Sequence, residues 1–300
     1  MGWNDDTSDE SETDNEEADE SDVDLSQLAP SAMDVSDAAD KDHVWKIMWW
    51  GNEGVGKSHA CYTMPEPICF IDTETKADDI AHKFSDEEVH IWQPNDFEEA
   101  TRHRDEALAF LSEYEAQTGQ KGTLVVDTMA DMWDWSKNHY INKYYKNTDP
   151  EDVNLSLEDW APIKKIHNES FRRDIENCGF HVSWTATRKD DVGAAVENEL
   201  EETPDKPGGE TNNPYKVNSI IRLELGDDGV PVGNLQKSGI LRFKYLGLRR
   251  PTFQKHKEIV NHVEEIEANG AETPQDVVDE YELDYEVSFT EANTMRFINQ

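Results

Sequence analysis

The sequence has few cysteines and no long apolar run, and each shortage excludes a class of protein. Its three cysteines, Cys61, Cys69 and Cys178, are odd in number and not closely paired, so neither a disulfide framework nor a C-x-x-C metal knuckle is expected. No apolar stretch approaches the length of a membrane span, and the N-terminus is acidic where a secretory signal begins basic. We therefore expect a cytoplasmic protein with no membrane partner.

Basic residues are scarce as well. The 300 residues include 28 Lys and Arg against 66 Asp and Glu, for a formal net charge of −38. Residues 1–42 account for −15 of this charge, which leaves −23 for the rest of the chain. Halophiles use such acidic surfaces to stay soluble in strong salt. The composition thus favours a salt-adapted cell or its virus, with an ordinary acidic protein as the alternative.

The first 42 residues differ in composition from the rest. They are mainly Asp, Glu, Ser and Thr, and such a segment cannot bury enough apolar surface to offset the entropy lost on ordering. We predict a disordered acidic tail over residues 1–42. A charge run of this kind is typical of a solvating tail, and binding to a protein partner or mimicry of DNA is the alternative.

From residue 43 onward, apolar runs alternate with helical patterns. Strands are predicted at residues 44–50, 68–71, 123–126, 180–185, 217–225 and 240–245, and helices at 57–62, 97–117, 129–145 and 157–178. Residues 190–215 are polar and rich in Pro and Gly, which indicates a mobile loop. The pattern predicts an α/β domain over residues 43–256, with a mostly parallel central sheet flanked by helices and a helical acidic extension at 257–300.

Residues 51–58 fit the pattern G-x-x-x-x-G-K-[ST] and follow the apolar run at 45–50. In a P-loop the glycines turn backbone N–H groups toward phosphates, Lys57 reaches the β and γ oxygens, and the Ser58 hydroxyl ligates Mg²⁺. The predicted nucleotide-binding residues are Gly51, Asn52, Glu53, Gly54, Val55, Gly56, Lys57, Ser58 and His59. Because no guanine-reading N-K-x-D motif is present, ATP is the expected nucleotide. The alternative is a glycine turn after a strand.

Hydrolysis needs further carboxylates. Asp127 ends the predicted strand 123–126, where it can serve as the second Mg²⁺ ligand, although an Asp there could instead cap the next helix. The residues after it are Thr128 and Met129 rather than Glu, so the group that orients the attacking water must lie elsewhere. Glu74 follows the strand 68–71 and would reach the same edge of the sheet. We predict that Glu74 is this base; otherwise it is a solvated loop residue.

These segments resemble the RecA-like ATPases, and more narrowly the phage nucleotide-binding proteins related to single-strand annealing and recombination ATPases. The resemblance covers about residues 43–253. It is carried by the segments 56–58, 65–74 and 124–127, by Asp159-Trp160, and by residues 181–190. It implies a RecA-like fold, ATP and Mg²⁺ as cofactors, homo-oligomers and single-stranded DNA as partner. It also implies that Thr185 reports the γ-phosphate, although a Thr at this position is equally typical of any strand.

The resemblance places a DNA-contacting loop after residue 190, but this chain departs from that expectation. The first part of the loop is acidic, with Glu197, Glu199, Glu201 and Glu202. The opposite occurs at residues 241–257, which hold six Lys and Arg and no carboxylate. By resemblance, Arg249 and Arg250 would be cations that act on the ATP of a neighbouring subunit; contact with a DNA backbone and a basic strand edge are the alternatives.

The leading hypothesis is therefore a Mg²⁺-dependent RecA-like ATPase that acts on single-stranded DNA in recombination, annealing or replication. A P-loop motor that packages duplex DNA is one alternative. A nucleotide-dependent module that binds a partner through its acidic tail is another.

Overall fold

An uninterrupted apolar run forms the strand that leads to the P-loop. β1 (Lys46–Gly51) buries every residue after its first. Ile47 and Trp49 belong to one hydrophobic core, and Met48 and Trp50 belong to another. Because successive side chains of a strand point to opposite faces, β1 must be covered on both sides. This is the arrangement expected for a parallel sheet between helices.

The computed structural model describes residues 43–146, 148–191, 204–239, 243–268, 270 and 288–291. The predicted tail at 1–42 lies outside these ranges. The strands after β1 are β2 (Ile68–Asp72), β3 (Val89–Trp92), β4 (Thr123–Asp127), β5 (His181–Asp190), β6 (Asp205–Pro207), β7 (Ser219–Leu225), β8 (Pro231–Ser238), β9 (Phe243–Leu246), β10 (Leu248–Arg249) and β11 (Ser288–Glu291).

The described strands form a nine-stranded sheet and a separate pair. Six strands of the sheet are parallel to one another, in the order β7-β1-β5-β4-β2-β3. β8 and β10 extend it antiparallel beyond β7, and β6 pairs antiparallel with the end of β5. β9 pairs with β11. The prediction of a mostly parallel central sheet flanked by helices is confirmed.

The helices are α1 (Lys57–Cys61), α2 (Asp78–Ala81), α3 (Phe97–Thr118), α4 (Met129–Tyr144), α5 (Trp160–His167), α6 (Arg173–Glu176) and α7 (Phe253–Ala268). Side chains fix where the long ones start. The carboxylate of Asp96 accepts the Glu99 N–H before α3, and the Thr128 hydroxyl accepts the N–H groups of Ala130 and Asp131 before α4. In the part of the chain that the structure describes, no helix combines the length and apolarity needed to cross a membrane.

Several predicted elements differ from the structure. The helix predicted at 157–178 begins only at Trp160, and a π turn at Asn168–Arg172 separates α5 from α6. Residues 288–291 form a strand where a helix was predicted, because they pair with β9. β3 and β8 were missed: β3 has four residues, and β8 carries polar side chains on an outer strand. The predicted loop contains β6, while residues 192–203 lie outside the described ranges.

Helix α7 lies across the boundary predicted between residues 256 and 257. Its Ile259, Val260 and Val263 are buried in the same core as Trp49 of β1. Beyond the helix, 270 and 288–291 are the residues that the structure describes.

Candidate functional site

The carboxyl ends of four parallel strands bring the predicted site residues to one edge of the sheet. β1 ends in the P-loop, and β5 lies between β1 and β4. Asp72 at the end of β2 is paired in register with Asp127 at the end of β4. In open α/β sheets this edge is where ligands bind. Topology therefore places the P-loop, Asp127 and the segment that contains Glu74 on one side of the domain.

Glycine is required at the start of the P-loop. Gly51 has φ 153°, and a Cβ atom built on it would lie 2.2 Å from the carbonyl oxygen of Leu223 on β7. Gly54 and Gly56 have φ 73° and 95°, in the left-handed region that side chains disfavour. The loop thus has the conformation that turns N–H groups toward a bound anion at the start of α1.

The Lys57 ammonium lies inside this loop. Its Nζ donates hydrogen bonds to the carbonyl oxygens of Asn52, at 2.8 Å, and Gly51, at 3.3 Å. Burial lowers the pKa of Lys57, while the negative charges of Asp127, Glu74 and Glu53 oppose that shift. A largely buried cation among carboxylates and backbone carbonyls is suited to exchange these partners for phosphate oxygens.

Two hydroxyl groups, of Ser58 and Thr185, donate hydrogen bonds to the carboxylate of Asp127. The Ser58 hydroxyl donates to Asp127 Oδ2 at 2.5 Å, and the buried Thr185 hydroxyl donates to Asp127 Oδ1. Burial raises the pKa of Asp127, hydrogen bonds from these two hydroxyls oppose the shift, and the charges of Glu74 and Asp72 add to it. Hydroxyl and carboxylate oxygens are the ligands that Mg²⁺ takes from P-loop proteins.

Thr185, predicted to report the γ-phosphate, is thus in contact with the carboxylate of Asp127. Its position in β5, between β1 and β4, explains this contact. The role predicted for Thr185 stays a prediction, and the structure adds that its hydroxyl holds one oxygen of the candidate Mg²⁺ ligand.

Glu74 lies two residues beyond β2 and is partly exposed, with 27% of its side chain accessible. Its negative charge opposes the lowering of the Lys57 pKa and adds to the raising of the Asp127 pKa. The carboxylate is therefore within electrostatic range of the P-loop lysine and of the candidate Mg²⁺ ligand. Its contact in the described chain is a 3.5 Å ion pair with the exposed Lys76. Glu74 is therefore available to a water molecule at this edge.

Thr73 connects the segment before Glu74 to the end of β4 by hydrogen bonds. Its hydroxyl accepts the Thr128 N–H at 2.7 Å and lies 2.9 Å from both Asp131 Oδ2 and the Asp127 carbonyl oxygen. Sequence reasoning missed these contacts. A signal was present, since β2 and β4 each end in an Asp that is followed by Thr, and the two Asp residues are paired in register.

The two arginines predicted to act on a neighbouring subunit differ in their surroundings. Arg249 belongs to β10 and forms an ion pair with Asp228 at 2.5 Å. Arg250 follows with φ 45°, and its N–H donates to the Pro231 carbonyl oxygen at 2.7 Å. Its exposed side chain lines a cavity beside Gly56 of the P-loop. Of the basic segment, residues 241 and 242 lie outside the described ranges.

Several Lys and Arg side chains near the end of β5 form ion pairs with carboxylates. Arg188 donates to Asp205 at 2.6 Å, and Asp205 also accepts from Arg222, whose guanidinium lies over the Trp50 ring. Lys206 pairs with Asp191 at 2.7 Å. The acidic positions 197–202 lie outside the described residues.

Comparison with known protein families covers the part of the chain that holds the candidate site. A family model described as an AAA domain matches residues 43–206, more than half of the chain. The matched segment contains the P-loop, Glu74, Asp127 and Thr185. No curated protein matches the chain.

Proposed function

The chain belongs to the AAA domain family, and from this premise we propose that it binds ATP with Mg²⁺ and hydrolyses it at the edge of the sheet described above. One observation carries the proposal. A P-loop of the required conformation precedes α1, and the first serine of that helix is hydrogen-bonded to the carboxylate that ends β4. Members of this family bind nucleotides, so nucleotide binding itself follows from the family match.

The residues fit the nucleotide and its metal. A Cβ at Gly54 would meet no atom within 4 Å and one at Gly56 none nearer than 3.7 Å, so these two glycines leave room for phosphate oxygens close to the backbone. Lys57 supplies a charge on the inside of the loop. Ser58 and Asp127 would hold Mg²⁺, which needs few protein ligands because waters and phosphates complete its shell. When bound, the metal supplies neutralisation of charge on the transferred phosphoryl group.

Glu74 is the group that we assign to the attacking water. It is a partly exposed carboxylate in electrostatic range of Lys57, held in place by the Thr73 contacts with β4. Its role is to accept a hydrogen bond from water and orient its oxygen toward the γ-phosphorus. Asp72, by contrast, accepts the Ala77 N–H at 2.8 Å and a Gln93 amide hydrogen at 3.1 Å. We therefore assign Asp72 a structural role.

We further propose that the ATPase acts on single-stranded DNA as a homo-oligomer, in recombination, annealing or replication in a salt-adapted cell or its virus. The support is the resemblance of residues 43–253 to phage recombination ATPases and the acidic composition, net −38. At the end of β5, Arg188 has 41% of its side chain accessible and Lys189 is exposed, on the edge that carries the P-loop. The ion pair with Asp205 partly offsets the positive charge of Arg188, so we expect DNA contacts of modest strength there.

The test is an ATPase assay in molar KCl with single-stranded DNA, duplex DNA or no DNA. Hydrolysis that Lys57→Ala removes, and that Lys164→Ala on the exposed face of α5 retains, is the expected result for the nucleotide site. Single-stranded DNA should increase the rate. Stimulation by duplex alone would favour a packaging motor, and ATP binding without hydrolysis would favour a binding module.

A further inference from the structure

A cavity of about 270 Å³ opens directly beside the P-loop. Pro231 forms one side of it, so close to the loop that a side chain at Gly56 would come within 3.7 Å of the proline ring. Pro251 and Thr252 form the other side, and His59 of α1 contributes its ring. The volume is below the roughly 300–1,000 Å³ of pockets that enclose a whole drug-sized ligand. It therefore suits one part of a larger ligand whose remainder binds next to it.

The walls are suited to a flat aromatic group. Val55, Pro231 and Pro251 are apolar, and the His59 ring packs on Phe84 with centroids 4.9 Å apart. An imidazole ring among apolar surfaces favours stacking with a nucleobase.

Arg250 stands at the rim of this cavity, held by the hydrogen bond from its N–H to Pro231. Within the described parts of the chain its guanidinium makes no hydrogen bond or ion pair, whereas the neighbouring Arg249 is paired with Asp228. An unmatched cation is notable in a protein with 66 acidic residues. The hydrogen bond that fixes the Arg250 backbone is made to Pro231 of the same chain, so Arg250 lies beside the P-loop of its own chain.

We propose that this cavity binds the base and ribose of the nucleotide whose phosphates the P-loop holds, and that Arg250 contacts that nucleotide within its own chain. The inference rests on the proposed function, because the phosphates bring the base to this position. It departs from the role that the resemblance implies for Arg250, which is contact with the ATP of a neighbouring subunit.

Binding of ATP and of inorganic tripolyphosphate, measured by titration calorimetry, separates the two proposals. The P-loop alone should bind tripolyphosphate, and ATP should bind about 10- to 100-fold more tightly because its base stacks in the cavity. His59→Ala and Arg250→Ala should each weaken ATP binding about 10-fold and change tripolyphosphate binding far less. His82→Ala and Arg173→Ala, two exposed residues away from the cavity, are the matched controls.

Each outcome has a distinct meaning. Equal affinity of the wild type for ATP and tripolyphosphate would overturn the cavity proposal and leave the P-loop in place, and no binding of either would overturn the proposed function itself. Melting temperatures show whether a variant has folded, and Arg250→Lys should recover part of the affinity. The last test mixes two variant proteins, Arg250→Ala and Lys57→Ala. If Arg250 acts within its own chain, the mixture should recover neither ATP binding nor hydrolysis. Recovery in the mixture would show that Arg250 of one subunit acts on the nucleotide of its neighbour.

Discussion

Ser58 donates its hydroxyl hydrogen to Asp127 Oδ2 across 2.5 Å, which joins the helix after the P-loop to the end of a strand two positions away in the sheet. The contact uses the two oxygens that would share a Mg²⁺ ion, and burial raises the pKa of Asp127. A bound cation would favour the ionised carboxylate, so the ligand-free contact and the metal compete for the same atoms.

Replacing Asp127 by Asn tests its role as a metal ligand. The variant keeps the shape of the side chain and loses its charge, so we expect Mg²⁺ to stop enhancing ATP binding and hydrolysis to fall at least about 10²-fold. Titrations of ATP with and without Mg²⁺ measure the first effect. Asp134→Asn, on the exposed side of α4, is the control, and a variant of Asp127 that retains the Mg²⁺ effect would contradict the assignment.

Glu74→Gln should separate binding from hydrolysis. The amide has nearly the same size but cannot accept a proton from water, so ATP affinity should stay close to wild type while turnover falls about 10²- to 10⁴-fold. Steady-state rates and calorimetry together measure this, with Glu158→Gln as a control. Turnover above about half of the wild-type rate would move the role to another carboxylate.

Gly51 and Gly54 of the P-loop should respond differently to alanine. Gly51→Ala forces a Cβ against the Leu223 carbonyl at a φ of 153°, and we expect a loss of about 3 kcal/mol or more in the free energy of unfolding. Gly54→Ala meets no atom within 4 Å and should cost about 1–2 kcal/mol for the left-handed conformation alone. Urea unfolding of both proteins gives the comparison, and similar losses would show that space around Gly51 is not limiting.

His167 should make the fold sensitive to acid. Its ring is fully buried near Ser136 and Asn213, at 3.2 and 3.3 Å, and burial lowers its pKa to about 4. The unfolded chain, with an ordinary histidine pKa near 6.5, binds the proton first. Stability from this group is therefore complete above pH 6.5 and is lost as the pH falls toward 4, by about 3 kcal/mol in all.

The measurement is the free energy of unfolding at pH 7.5, 5.5 and 4.5. His167→Gln can keep a hydrogen bond to Ser136 or Asn213 without titrating, so its stability should change less over this range than that of the wild type. His82→Gln, an exposed histidine, should leave the slope unchanged. Equal slopes for all three proteins would show that other groups cause the acid sensitivity.

The sequence alone was sufficient to predict a mostly parallel sheet and to locate the P-loop. Both depend on local pattern: uninterrupted apolar runs form strands that are buried on two faces, and glycines spaced around Lys57 need no distant partner to be recognised. Asp127 and Glu74 could be nominated because each follows such a run, and parallel strands end at a common edge. Their catalytic roles remain predictions.

Tertiary structure decided what the local pattern could not. The pairing of Ser58 with Asp127 depends on β5 lying between β1 and β4, and no spacing in the chain encodes that order. The place of Arg250 beside the P-loop depends on an antiparallel extension formed by residues that read as polar, because β8 is stabilised by pairing with β7 rather than by its own apolar pattern. Contacts between residues far apart in sequence are set by the packing of whole elements, and packing is a property of the complete core.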